Sequence, residues 1–364
     1  MRVERLDVAT YEFPLEEPES DGTLTWDSTT MVVVEAVAGG HRGVGYTYGA
    51  AACAAVVVDT LRDLVAGTDA MDVTGTWAEM VRAIRNQGRP GVVSHAISAV
   101  DCALWDLKAR ALDVALVDLL GAVRDEVPLY GSGGFTSLSE PALERQLLGW
   151  VRDAGIPRVK IKIGEDWGRR PQRDLERVAF ARSVLGGDVG LYVDANGAYD
   201  RKQAVRMARA FAWHGVTWFE EPVSSDDLEG LREIRYLVDV DVAAGEYGYD
   251  LAYFQRMLDA GAVDCLQADV TRCGGITELL RVAAVAAAHG VEVSAHCAPA
   301  VSAAVCAAIP NFRHLELFAD HSKIEAVAFG GVLDPKGGAV RPDRSRPGSG
   351  LELKRQDVER FRRS

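Results

Sequence analysis

The chain has 364 residues, of which 48% are hydrophobic and 26% are charged, as is typical of globular proteins. Its 53 acidic residues outnumber 40 basic ones, which gives a formal net charge of −13 at pH 7. Since no basic cluster stands out, we expect no binding to nucleic acid or to an anionic membrane surface. We also expect no membrane span, because no uncharged stretch is long and apolar enough.

The amino terminus, MRVERLDVATYEFP, carries charges throughout and has no apolar core of the kind found in secretory signal peptides. The six cysteines show no CxxC spacing; they are Cys53, Cys102, Cys265, Cys273, Cys297 and Cys306. This usage is typical of reduced thiols, and we therefore expect a cytoplasmic protein without disulfides or a zinc site.

The first part of the chain reads as a small α+β domain. Three β-rich runs come first, and the second and third are joined by AGGH, a hairpin-type connection. Helical patterns follow at about 53–66, 74–86 and 91–112. We place this domain at residues 1–122 and expect the short strands and turns of 322–364 to complete it.

From about residue 126 short apolar runs alternate with longer amphipathic segments. The runs are EVPLYGS, RVKIKIG, GLYVDAN, VTWFEEP, VDVAAGE, VDCLQAD, VEVSAHC and RHLELF. Eight strands separated by helices are the signature of a (β/α)8-type barrel, here over residues 123–321. The predicted fold class is therefore α/β, with a second, smaller domain beside the barrel.

Polar or ionisable residues follow every barrel strand after the first. They are Lys160 and Lys162, Asp194 and Asn196, Glu220 or Glu221, Glu246, Asp269, His296 and Glu316. From Asp194 onward their separations are 26, 26, 23, 27 and 20 residues, each about one strand–helix unit. Because the carboxyl ends of barrel strands meet at one mouth, we expect these side chains to converge.

Three carboxylates from successive strands, Asp194, Glu220 and Glu246, would repel one another unless a cation neutralised them. Hard oxygen ligands with room for water or substrate favour Mg²⁺. The alternative is that each is a solvated loop acid, which is the more common case for any one of them alone.

In the run RVKIKIG, Lys160 and Lys162 point to the same face of a strand. Lysines on an exposed edge strand would be unremarkable as protection against aggregation, but a closed barrel has no edge. Paired lysines lower each other's pKa, so that one becomes a usable base while the other holds an anionic substrate group.

His296 and Asp269 form a second candidate acid–base pair, in which the carboxylate would fix the imidazole tautomer. A single histidine is more often structural, but this one lies in the same layer as the acids. Together these parts predict removal of the proton beside a substrate carboxylate, through an enediolate, with Lys162 and His296 on opposite sides. Glu316, if protonated, would donate a hydrogen bond to that carboxylate.

The ordered motifs KIK, DAN, FEEP, GE, QAD with TRCGGIT, SAH and LELF resemble the enolase superfamily, mandelate racemase subgroup. In that superfamily a Lys or His base acts with Mg²⁺. The resemblance covers essentially the whole chain, including SAVDCALWDLKAR. It implies a (β/α)7β barrel with an α+β capping domain.

By the same resemblance, Lys162 is the base, Lys160 its carboxylate-facing neighbour, and Asp269 with His296 the dyad. The metal ligands are then Asp194, Glu220 and Glu246, where Glu220, the first glutamate of FEEP, is preferred to Glu221. Glu316 is the hydrogen-bond donor, and Asn196 contacts the substrate carboxylate. The chain has no lysine near Asp269, unlike the muconate-lactonising subgroup.

Substrate specificity in this family comes from capping-domain loops, here about 14–28 and 46–53. Trp26, Tyr46 and Tyr48 are therefore candidate pocket walls, although aromatic residues are more often packing residues. The leading hypothesis is a Mg²⁺-dependent acid-sugar dehydratase that acts on a small carboxylate. The alternatives are a racemase or epimerase of a 2-hydroxy or sugar acid, and a metal-binding protein without turnover. The resemblance also implies a homo-oligomer, from dimer to octamer.

Overall fold

A computed structural model describes residues 1–363. At the amino end three strands form an antiparallel sheet in the order β1 (Arg5–Ser20), β2 (Thr25–Ala38) and β3 (His41–Tyr48). The turn between β2 and β3 uses Gly39 and Gly40 at φ +55° and +81°, a conformation that glycine adopts without steric cost. The predicted AGGH hairpin is therefore present.

A group of helices follows, and some of them pack directly on this sheet. They are α1 (Ala52–Val56), α2 (Arg62–Val65), α3 (Val73–Ala83), α4 (Val92–Ala111) and α5 (Leu116–Leu120), with a π-helical turn at Val57–Leu61. The long helix α4 lies directly on β3, where a Cβ on Gly43 would overlap the Ala103 carbonyl oxygen. The glycines of GVGYTYG thus allow helix and sheet backbones to meet.

Eight parallel strands then close into a barrel, which confirms the predicted fold class. They are β4 (Val127–Gly133), β5 (Arg158–Lys162), β6 (Gly190–Asp194), β7 (Val216–Glu220), β8 (Asp241–Ala244), β9 (Cys265–Ala268), β10 (Glu292–Ala295) and β11 (Phe312–Phe318). Neighbouring strands in sequence are neighbours in the barrel, and β11 pairs with β4 to close it.

Seven helices connect these strands, as in a (β/α)7β barrel. They are α6 (Glu140–Leu148), α7 (Pro171–Leu185), α8 (Arg201–Ala212), α9 (Leu228–Leu237), α10 (Leu251–Asp259), α11 (Gly275–Ala288) and α12 (Pro299–Ala308), with a π-helical turn at Gly149–Asp153. At the start of α11, Gly275 has φ +88° and a Cβ there would overlap Asp101 Oδ2 of α4. This glycine brings the barrel and the capping helix into contact.

The carboxyl-terminal tail differs in part from expectation. Where we expected only short strands and turns, the structure has helix α13 first. The tail elements are α13 (Ala319–Ala328), β12 (Phe329–Gly330), β13 (Ala339–Val340), β14 (Glu352–Leu353), α14 (Arg355–Val358) and a 3₁₀ turn at Glu359–Phe361. The tail contacts the amino-terminal sheet, since Arg355 pairs with Glu35 at 2.5 Å. Strand β13 instead pairs with β4 of the barrel.

Aromatic side chains fill the barrel interior below the mouth. Tyr130, Tyr192 and Trp218 lie there with His314, and the Tyr192 and Trp218 rings stack with centroids 5.4 Å apart. Lys160 Nζ lies 5.4 Å from the Tyr130 ring centroid, directly above this layer. Among residues 1–363 no helix is long and apolar enough to cross a membrane.

Candidate active site

The register of three neighbouring strands sets the predicted lysines beside the predicted carboxylates. Lys162 on β5 pairs with Asp194 on β6, and Asp194 pairs with Glu220 on β7. All three are the last residue of their strand and all are buried. The lysine pair of RVKIKIG therefore faces a pocket of anions inside the barrel.

Lys160 is surrounded by carboxylates. Its Nζ donates to Glu220 Oε1 at 2.5 Å, lies 2.8 Å from Glu316 Oε1 and is 3.5 Å from Asp194 Oδ2. Burial alone would lower the pKa of Lys160, but the charges of Glu220 and Glu316 hold it well above its ordinary value. Lys160 therefore carries a fixed positive charge at the bottom of the site.

Lys162 is also protonated in this arrangement. Its Nζ donates to Asp194 Oδ2 at 2.5 Å. Burial and the charge of Lys160 both lower the pKa of Lys162, but the Asp194 carboxylate raises it by more. The expected mutual lowering between the lysines is thus present, yet it is outweighed by the carboxylates, and Lys162 needs a change at Asp194 before it can act as a base.

The donor set of Asp194, Glu220 and Glu246 fits a divalent cation. One carboxylate oxygen from each lies within 4.8 Å of the others, and all three residues are buried. Glu246 Oε2 makes no hydrogen bond with the described residues, although His296 Nε2 lies 3.3 Å away, and this carboxylate oxygen can serve as a ligand. Three buried oxygen anions match the preference of Mg²⁺.

His296 and Asp269 meet as the sequence predicts. His296 Nδ1 lies 2.8 Å from Asp269 Oδ2, while Asp269 Oδ1 accepts from Thr271 N at 2.6 Å and Thr271 Oγ1 at 2.7 Å. Burial opposes ionisation of Asp269, but the hydrogen bond and charge of His296 lower its pKa to about 2. The imidazole is therefore held by an ionised and immobile carboxylate.

The structure brings Glu316 to the same cluster but favours its ionised form. Glu316 Oε2 accepts from Cys297 N at 3.1 Å and lies 3.7 Å from His296 Nε2. Burial raises the pKa of Glu316, yet Lys160 and His296 hold it well below the ordinary value. In this state Glu316 accepts hydrogen bonds, and the predicted donor role requires it to gain a proton.

Sequence reasoning missed Arg272, which links two of the predicted residues. Its Nη1 lies 3.2 Å from Glu246 Oε1 and its Nε lies 3.3 Å from Asp269 Oδ2. A cation between the candidate metal ligand Glu246 and the carboxylate of Asp269 positions both. Its place three residues after Asp269, within the quoted TRCGGIT, was a signal that could have identified it.

The aromatic residues predicted as pocket walls have different surroundings. Tyr46 is fully buried, and its hydroxyl donates to Glu325 Oε1 at 2.6 Å in the tail helix α13. Trp26 packs edge-on against Phe135, with centroids 5.6 Å apart. Tyr48 stacks on His321 at 3.5 Å. The structure does not bring these three residues into contact with the carboxylate cluster.

His321 and Cys297 are further site neighbours that sequence reasoning missed. Cys297 Sγ lies 3.2 Å from His296 Nε2, next to the imidazole face opposite Asp269. Burial lowers the pKa of His321 to about 3, and the charge of His296 adds to this effect. His321 therefore stays neutral beside His296. It lies on α13, where the sequence had indicated only the start of the tail.

Asn196 lies directly behind the metal-ligand candidates. Its backbone N–H donates to Asp194 Oδ1 at 2.9 Å, which orients that carboxylate. Its side-chain Oδ1 is buried and has no partner among residues 1–363. This oxygen can accept a hydrogen bond from a substrate hydroxyl, whereas the contact predicted with the substrate carboxylate would have to come from the side-chain NH₂ group.

Comparison with known proteins agrees with this geometry. The profile of the mandelate racemase/muconate lactonizing enzyme N-terminal domain matches residues 6–121, and that of the enolase C-terminal domain-like family matches residues 142–358. The L-talarate/galactarate dehydratase of Salmonella typhimurium is 32% identical over 87% of this chain and 81% of its own length. The 3,6-anhydro-alpha-L-galactonate cycloisomerase of Streptomyces coelicolor is 32% identical over 99% of both chains.

Two solved structures superpose over nearly the whole chain. A mandelate racemase/muconate lactonizing enzyme-like protein from Rubrobacter xylanophilus is 53% identical, with a TM-score of 0.96 over 100% of both chains. A racemase from Streptomyces coelicolor, crystallised with bound magnesium, is 30% identical with a TM-score of 0.93 over 99% of this chain and 100% of its own.

Proposed function

Because this chain belongs to the mandelate racemase/muconate lactonizing enzyme family of the enolase superfamily, we propose that it is a magnesium-dependent acid-sugar dehydratase. One observation carries the proposal: a buried carboxylate trio is flanked by two different proton-transfer groups, Lys162 and the His296–Asp269 pair. Relatives of about 30% identity include acid-sugar dehydratases.

Magnesium held by Asp194, Glu220 and Glu246 would supply positive charge to the substrate carboxylate and so acidify the adjacent carbon-bound proton. Lys160 adds a permanent charge beside the same site. Lys162 Nζ, once released from Asp194, removes the proton from the α-carbon.

The second half of the reaction expels the β-hydroxyl group. His296 keeps its Nδ1–H on Asp269, so that Nε2 is the atom that faces the substrate. A proton delivered from Nε2 turns the leaving hydroxyl into water, and the remaining enol becomes a 2-keto-3-deoxy acid. The substrate thus loses one water molecule in total, made of the β-hydroxyl group and the proton that His296 delivers.

A cycloisomerase is a second candidate, favoured by the relative that matches 99% of this chain. If the leaving oxygen belongs to a ring of the substrate, the same elimination opens the ring and releases no water. The residues and their roles are unchanged. Product and substrate would then have equal mass, whereas dehydration lowers the mass by one water.

A racemase or epimerase would use the same two groups from opposite sides of the α-carbon. This candidate is favoured by the position of Lys162 on β5 and His296 after β10, which are separated by two strands on the shorter way round the barrel. Reprotonation on the other side would return the acid with inverted configuration and without a keto group.

The test is a library of aldonates, aldarates and sugar lactones or anhydro acids incubated with the enzyme and Mg²⁺ in D₂O. Dehydration predicts a keto acid that has lost one water. A keto acid whose formula differs from that of the substrate only by deuterium in place of hydrogen would identify the cycloisomerase, and deuterium at the α-carbon without keto acid would identify the racemase or epimerase. The observed signal should disappear in Lys162→Ala and in His296→Ala if the reaction takes place at this site. Lys202→Ala, on the outer helix α8, is the matched lysine control and should keep the signal. A library with no turnover and no exchange would refute the proposal.

A further inference from the structure

A cavity of about 630 Å³ opens at the barrel mouth beside the candidate metal ligands. We infer that this distal cavity binds the far end of the substrate, and that this end is a hydroxylated ring, as in a glycosylated sugar acid. The inference rests on the proposed function for the acid end of the substrate. The cavity walls used below are Trp167, Asn196, Glu221, Tyr247, Tyr249 and Tyr253.

The position of the cavity connects it to the chemistry. Asn196 comes two residues after Asp194, Glu221 follows Glu220, and Tyr247 follows Glu246. Each of the three candidate metal ligands therefore has a near neighbour in the wall of the distal cavity. The distal cavity is therefore built from the same strand-end loops that carry these ligands.

The walls are aromatic and partly open to solvent. Trp167 is 57% exposed and Tyr247 is 41% exposed, although both line one cavity together with Tyr249 and Tyr253. Large aromatic groups left open in a cavity are typical of binding surfaces. Their flat faces suit the C–H face of a sugar ring, which they would cover on binding.

Backbone strain is concentrated in the same walls. Asn196, Glu221 and Trp167 have φ of +45°, +39° and +57°, and they are three of the seven non-glycine residues with positive φ within residues 1–363. Such conformations cost free energy and tend to persist at functional sites. In Trp167 the strained backbone is also held by the capping domain, because its N–H donates to Gly22 O at 2.9 Å.

Polar atoms in the walls call for hydroxyl groups on the occupant. Asn196 Oδ1 and Glu221 Oε1 are both buried and lack a hydrogen-bond partner among the described residues, and Glu221 is only 1% exposed. Both oxygens accept hydrogen bonds, as sugar hydroxyls would donate them. A purely hydrocarbon ring would leave them unpaired, at a cost.

Charge argues against a second carboxylate in the distal cavity. Asp226 and Asp250 line it, against Arg256 as the cation among its lining residues. A neutral ring is therefore favoured over the distal carboxylate of an aldarate.

The experiment compares equilibrium binding of open-chain aldonates with their glycosylated forms, in the presence of Mg²⁺. Gluconate is the open-chain parent of two glycosylated acids, lactobionate and melibionate, which gives two matched pairs, and 3-phenyllactate supplies an aryl ring. Since an aromatic contact contributes about two- to tenfold in affinity, we expect at least one glycosylated acid to bind about tenfold more tightly than its parent.

Trp167→Ala and Tyr247→Ala should each remove most of that difference. Trp213→Ala is the control, because Trp213 is 90% exposed at the end of α8 and lies outside the cavity; it should keep the difference in full. Thermal melting confirms that each variant is folded. The inference is overturned if no glycosylated acid binds more tightly than its parent, or if the difference in affinity survives in both cavity variants. It is also overturned if Trp167→Ala weakens the binding of 3-phenyllactate more than that of any sugar acid.

Binding is measured in a Lys162→Ala background, which the proposed function expects to be without turnover, so the two proposals fail separately. A glycosylated acid that binds through Trp167 but yields no keto acid with the wild-type enzyme would refute dehydration and support the distal cavity. If open-chain acids yield keto acid but no glycosylated acid binds more tightly than its parent, dehydration is supported and the distal cavity is refuted.

Discussion

Replacing Asp269 by asparagine should disable His296 while leaving the shape of the site intact. Asp269 Oδ1 accepts from both Thr271 N and Thr271 Oγ1, at 2.6 and 2.7 Å. The backbone N–H cannot turn away, so the carbonyl oxygen of the new amide must stay on that side. The amide NH₂ then faces His296 Nδ1, 2.8 Å from the replaced Oδ2.

That orientation reverses the imidazole tautomer. Nδ1 becomes an acceptor, the ring proton moves to Nε2, and the nitrogen that faces the substrate can no longer take up a proton. The imidazolium form also loses its anionic partner, a charged hydrogen bond that contributes about 1.5–3 kcal/mol. Since general acid–base catalysis contributes about 10²–10⁴-fold, we expect a decrease of that size in the reaction that involves His296.

Two measurements check this prediction. The rate of keto-acid formation, or of α-deuterium exchange, should fall nearly to the level of His296→Ala. The ¹⁵N chemical shifts of His296 should show the proton moving from Nδ1 to Nε2, a readout that needs no substrate. An Asp269→Asn enzyme with more than about a third of the wild-type rate and an unchanged tautomer would refute the reasoning.

Three further predictions concern metal binding, pH and packing. Glu220→Gln should weaken Mg²⁺ binding about tenfold or more in calorimetry, because it removes a ligand charge, and Glu221→Gln should weaken it less; the reverse order would exchange their roles. Burial raises the pKa of Glu19 to about 8, above about 4.3 in an unfolded chain, so its stabilising contribution is full below pH 4 and is lost as the pH rises to 8. Between pH 4.5 and 8.5 the free energy of unfolding of the wild type, measured with urea, should therefore fall by about 1–3 kcal/mol relative to that of Glu19→Gln, after allowance for the partial exposure of Glu19. Parallel plots of unfolding free energy against pH for the two proteins would contradict this. Gly275→Ala should lower the free energy of unfolding by about 3 kcal/mol through steric overlap and backbone strain. Gly290→Ala, at φ +69° with open space around the added Cβ, should lower it by only about 1 kcal/mol. Equal decreases in the two variants would show that the overlap at residue 275 is relieved.

Much of the site could be predicted because barrel topology repeats. Each strand end contributes to one mouth, so residues spaced by one strand–helix unit, such as Asp194 and Glu220, had to become neighbours. The alternation of Lys160 and Lys162 likewise placed both on one face. These inferences needed only periodicity and strand order, and the structure brings the predicted ionisable residues together.

Other features depend on contacts between distant segments, which periodicity does not encode. His321 stacks on Tyr48 from a tail helix, and Tyr46 meets Glu325 across 279 residues of sequence. The distal cavity takes its walls from several strand-end loops and from Pro90 of the amino-terminal part. No local pattern predicts which of these side chains meet.

The sequence by itself therefore determined the barrel and the order of the strand-end residues, because these follow from the period of strands and helices. Only the tertiary structure decided the charge state of the lysines. Paired lysines alone lower each other's pKa, but carboxylates that other strands bring to 2.5 Å raise the pKa of both lysines instead. The interaction between two charges depends on their distance and on the surrounding burial, and neither quantity is fixed until the chain has folded.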